Sequence, residues 1–90
     1  MTNAILTMKI MPETADSDLG KLEEEATKVI SKLGGKVGKT EREPIAFGLE
    51  SLKLIFIADE NLGTDNFEQK VAELEGVQSA QIVDFRRAIG

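Results

Sequence analysis

An α+β domain is predicted by three features of the sequence. Four segments read as strands: three place apolar residues on one face with the period of two that a strand requires, and the fourth, Lys36–Glu43, is weak and polar. Two others carry apolar residues at three- and four-residue spacing, the period of a helix packed along one side. Glycine or proline punctuates the boundaries, and the segments succeed one another as β-α-β-β-α-β.

The first strand is expected over Thr2–Met11, with Ala4, Leu6, Met8 and Ile10 on one face and Ile5, Thr7, Lys9 and Met11 on the other. Pro12 ends it, and the polar loop that follows holds two candidate helix caps, Asp16 and Asp18. A helix over Leu19–Leu33 places Leu19, Leu22, Ala26, Val29, Ile30 and Leu33 on a single stripe, and Gly34-Gly35 closes it. Glu23, Glu24 and Glu25 read as its solvated face. Lys36–Glu43 is a polar strand suited to a sheet edge, ended by Pro44, which cannot donate to a ladder.

Leu49–Ala58 is the strongest strand. Leu52, Leu54, Phe56 and Ala58 alternate with Lys53, Ile55 and Ile57, and apolar residues on both faces predict a central position. After the Asp59–Gly63 loop, Thr64 or Asp65 caps a second helix reaching about Glu75, with Phe67, Val71 and Leu74 inward. Gly76 closes it, and Val77–Arg87 is the last strand, with Ala80, Ile82 and Phe85 as core positions. This order is the split βαβ, or ferredoxin-like, arrangement. Right-handed crossovers put both helices on one face of a four-stranded antiparallel sheet, and residues 1–90 are expected to form a single domain.

Composition removes most chemistry. Without cysteine there is no disulfide, thiolate nucleophile or cysteine metal site, and without histidine the commonest general base and metal ligand are missing. No nucleophile–base pair or cofactor motif stands out, so no enzyme and no cofactor is predicted. Acidic residues before the helices read as caps and dipole partners, not as a metal site. Trp and Tyr are absent, and no ring falls among the outward residues of the central strands. With a net charge of −5 and no cluster of basic residues, direct nucleic-acid binding is not expected. The longest apolar run, Leu54–Ala58, is too short to span a membrane, and with no signal peptide visible the expected location is the cytoplasm.

Two features suit contact with a partner. Phe47, in the hydrophobic loop Pro44-Ile45-Ala46-Phe47-Gly48, is either a plug at the end of the sheet or an exposed anchor of the kind that dominates interfaces. Arg86 and Arg87, closing the last strand, are either a solvated basic end or a pair facing anionic groups.

The stretch Glu43-Pro44-Ile45-Ala46-Phe47-Gly48-Leu49 with Leu52-Lys53-Leu54 resembles the hallmark of the elongation factor 1-beta family in its short archaeal form. Leu6–Glu13, Asp18-Leu19, Glu75–Ser79 and Val83–Arg87 resemble the family in the same order, so the likeness covers essentially the whole chain. It implies the same ferredoxin-like fold and a function without covalent chemistry. Such a factor binds the nucleotide domain of the GTPase elongation factor 1-alpha and promotes exchange of GDP for GTP. It also implies that Phe47 contacts the GTPase, that Pro44, Ile45 and Gly48 shape the loop presenting it, and that the C-terminal end is a second contact. Eukaryotic relatives carry a lysine there that disturbs the bound magnesium; here Arg86 and Arg87 are the nearest cations. The alternative from another functional class is a regulatory domain of the same fold that senses a small molecule or dimerises through its sheet, suggested by Ile5, Ile55 and Ile57 on one face.

Overall fold

A computed structural model describes residues 3–14 and 18–87, apart from the side chain of Phe47. The elements are β1 (Asn3–Pro12), α1 (Leu19–Lys32), β2 (Lys36–Pro44), a 3-10 turn (Ala46–Gly48), β3 (Glu50–Asp59), α2 (Thr64–Ala72) and β4 (Val77–Arg87). The strands form one antiparallel sheet in the order β2-β3-β1-β4, so β1 and β3 are central and β2 is an edge, as their apolar content predicts. The fold is ferredoxin-like.

Alternation sorts the side chains. Ala4, Leu6, Met8 and Ile10 of β1 and Leu52, Leu54, Phe56 and Ala58 of β3 are buried beneath the helices. Leu22, Ala26 and Ile30 of α1 and Phe67 and Val71 of α2 close the core from above, and the rings of Phe56 and Phe67 meet at 5.0 Å. That tilted contact adds about 0.5–1.5 kcal/mol to the burial of the two rings. Asp18 caps α1 by accepting the Lys21 N–H at 3.1 Å, while Asp16 lies outside the described residues. Gly34 follows the last turn at φ +100°, the left-handed position where glycine is unstrained.

Several expectations need correction. β1 does not stop before Pro12: a register shift after Met11 lets the buried proline face Val77 without needing its missing N–H. β2 likewise includes Pro44, opposite Glu50, as an edge strand permits, and β3 runs one residue later than expected at both ends. α2 is capped by neither Thr64 nor Asp65: the cap is Gly63, whose carbonyl accepts the Asn66 N–H at 3.2 Å, and Thr64 is already helical. The helix ends at Ala72, and Leu74 lies in the turn leading to Val77.

Phe85 is the last of them. It pairs with Leu6 and so lies on the helix side as expected, because a bulge at Val83 shifts the alternation by one residue. Yet it is 46% exposed. α2 lies against residues 79–82 of β4, and Phe85 stands about 10 Å farther along the strand, past the helix. Ala80 and Ile82, under α2, are partly buried against the core.

Candidate partner-binding surfaces

The Pro44–Gly48 segment is a fixed turn. The Ile45 N–H donates to the Leu49 carbonyl at 2.8 Å, and the Leu49 N–H donates back to the Ala46 carbonyl at 3.3 Å. Gly48 holds φ +74°, a left-handed conformation that a side chain there would strain. Pro44 and Gly48 are exposed, Ile45 is half-buried, and the backbone of Phe47 occupies the middle of the turn. The position of the Phe47 side chain lies outside the described structure. Such a turn fixes the backbone of its central residue, which lowers the entropic cost of a contact made there.

A cleft of about 350 Å³ opens beside the turn, bordered by Pro12, Asp18, Gly20, Arg42, Gly48 and Glu50. It joins Gly48 to the start of α1, segments 30 residues apart in sequence. Arg42 is a cation that sequence reasoning passed over. It pairs with Leu52 and so faces the helix side of edge strand β2; plain alternation from Lys36 would put it on the open face, and the bulge at Gly38 reverses this.

Arg86 and Arg87 are exposed, and each is held by a carboxylate of its own chain. Arg86 Nε lies 3.0 Å from Asp84 Oδ2, and Arg87 Nε lies 3.0 Å from Glu60 Oε2. The second contact is an ion pair without hydrogen-bond alignment, since this shielded oxygen of Glu60 has no hydrogen-bond donor among the described residues. Glu60 thereby ties the end of β4 to the loop after β3.

The structure does not bring the turn and the arginines together. Pro44 and Glu50 stand level with Pro12, whereas Arg87 stands level with Ala4. The two features occupy diagonal corners of the sheet, separated by about 27 Å along the strands and about 14 Å across them. A partner that touches both must span the molecule.

Between those corners lies the sheet face that the helices leave open. One row across it reads Lys36, Ile57, Ile5, Arg86, and the next reads Lys39, Ile55, Thr7, Asp84. A third row places Lys9 directly opposite Lys53, between Glu41 and Gln81. Glu43 bonds the Lys53 ammonium. This hydrogen bond and its charge hold the Glu43 carboxyl below the ordinary value of 4.5, and the carboxylate in turn raises the Lys53 ammonium above 10.5. Among the described residues no cluster of three or more carboxylates is placed to hold a metal ion, and no helix is long and apolar enough to cross a membrane.

The family model of the EF-1 guanine nucleotide exchange domain matches residues 5–88, which include both corners and the face between them. The elongation factor 1-beta of Methanosarcina barkeri is 41% identical over 88 residues, covering 97% of this chain and 99% of that protein. That of Methanobrevibacter smithii is 42% identical over 88 residues, covering 97% and 98%. That of Pyrococcus horikoshii is 39% identical over 82 residues, covering 89% of each.

Proposed function

The chain belongs to the EF-1 guanine nucleotide exchange domain family, and from that premise we propose that it promotes replacement of GDP by GTP on elongation factor 1-alpha by binding the nucleotide domain of that GTPase. The observation that carries the reading is the family match across residues 5–88, within which Pro44–Gly48 forms a rigid, exposed turn.

No covalent step is needed. An exchange factor binds the nucleotide-free GTPase more tightly than the GDP-bound form. By linkage, GDP is then weakened by the same factor on the GTPase bound to it. A tenfold preference is about 1.4 kcal/mol of differential binding, within the range of one well-placed aromatic contact. Phe47 supplies that contact, held by Pro44, Ile45 and Gly48. Arg86 and Arg87 form a second, charged contact at the far corner, which adds affinity and sets orientation.

The deciding experiment is release of a fluorescent GDP analogue from purified elongation factor 1-alpha, with and without this protein. Faster release at sub-stoichiometric amounts is expected. Unchanged release in the presence of folded protein would overturn the reading.

A further inference from the structure

We infer that the open face of the sheet is itself a docking surface, and that it fits an acidic protein surface with an apolar centre on the GTPase. The inference rests on the proposed function for the identity of the partner, and on two independent observations for the chemistry.

The first is charge. Among the described residues, the open face carries five basic side chains and four acidic ones, the latter including Asp59 opposite Asn3, a net charge of +1. The whole chain has eleven basic and sixteen acidic residues and a net charge of −5, so everything else sums to −6. The molecule is polarised across its thickness, positive on the open sheet and negative elsewhere. Ile5, Ile55 and Ile57 form an apolar centre on this face, with Ile57 43% exposed and cations at both edges of its row. An acidic rim around an apolar patch is the complementary surface.

The second is the direct pairing of Lys9 with Lys53 on the two central strands. Like charges opposite each other destabilise a sheet, and Glu41 and Glu43 offset this from the β2 side only. An acidic chain has carboxylates enough to place one at position 9. A local rule broken at the centre of an uncovered face marks a site where binding, not folding, sets the residue. The face also lies between the two corners that a spanning partner must reach.

The test separates the two roles. Lys9→Glu turns a like-charge pair into an opposite-charge pair, so its melting temperature should rise by roughly 1–4 °C. If the face docks an acidic surface, the same variant should bind nucleotide-free elongation factor 1-alpha about tenfold more weakly at low salt. Lys36→Glu, at the exposed start of β2, should weaken binding in the same direction and carries the test if K9E does not fold. Lys28→Glu, on the helix side, is the control and should bind as wild type. K36E and K9E binding as wild type would overturn the inference and leave the exchange function standing. A wild-type protein that does not bind the GTPase would overturn both. A wild-type dimer dissociated by K9E or K36E would assign the face to a second copy and overturn the inference.

Discussion

The carboxylate of Glu68, on α2, accepts the backbone N–H of Ile82, on edge strand β4, at 2.6 Å. A side chain fourteen residues upstream thus covers an amide that an exposed edge would otherwise offer to another chain. Hydrogen bonds to a charged acceptor contribute about 1.5–3 kcal/mol when part-buried. Glu68→Ala should therefore lower the melting temperature by about 6–12 °C or more, at about 4–8 °C per kcal/mol for a domain of this size. It should also raise the fraction of dimer or larger species in sedimentation. A monomeric variant with unchanged melting would show that the bond contributes nothing.

Glu43 and Lys53 predict a defined pH window. The Glu43 carboxyl is depressed in the folded state, so its stabilisation is present above its unfolded value of 4.5 and is lost as pH falls through the folded value. The Lys53 ammonium is raised, so its stabilisation is present below 10.5 and is lost as pH rises through the folded value. Glu43→Gln should melt slightly below wild type at pH 7, and the two curves should converge under acid. Both groups are solvent-accessible, so added salt should narrow the gap at pH 7. A gap that persists under acid and in high salt would assign the effect to packing instead.

Phe47→Ala should leave the melting temperature nearly unchanged and lower the exchange rate about tenfold, the loss expected for one aromatic anchor. The backbone bonds of the turn, Ile45 to Leu49 and Leu49 to Ala46, do not involve the ring and should survive. Paired melting and GDP-release measurements check this. A variant that unfolds would identify Phe47 as a plug.

Charge reversal of both Arg86 and Arg87 should lower exchange several-fold at low salt, with the deficit shrinking as ionic strength rises. The two ion pairs to Asp84 and Glu60 are exposed at the arginine side, so their loss should cost little stability. GDP release measured at two salt concentrations checks it; equal rates for wild type and variant at low salt would remove the arginines from the contact.

Periodicity and residue type are enough to set the inward and outward faces of β1, β3 and α1, the central place of β3, the edge place of β2 and the loop at Pro44–Gly48. Each is written locally, in a period of two or 3.6 or in a residue with restricted backbone freedom. Other features depend on elements far apart in sequence and are settled by folding. Phe85 has a core phase, but it lies beyond the stretch of β4 that α2 covers. Thr64 has a capping side chain, but the chain enters the helix one residue earlier. Arg86 and Arg87 read as free charges until folding placed Glu60 beside one of them. The opposition of Lys9 and Lys53 and the diagonal separation of the turn from the arginines follow from strand register and order. Those are set by the shared core, which buries whole faces at once and carries the remaining side chains wherever the pleat sends them.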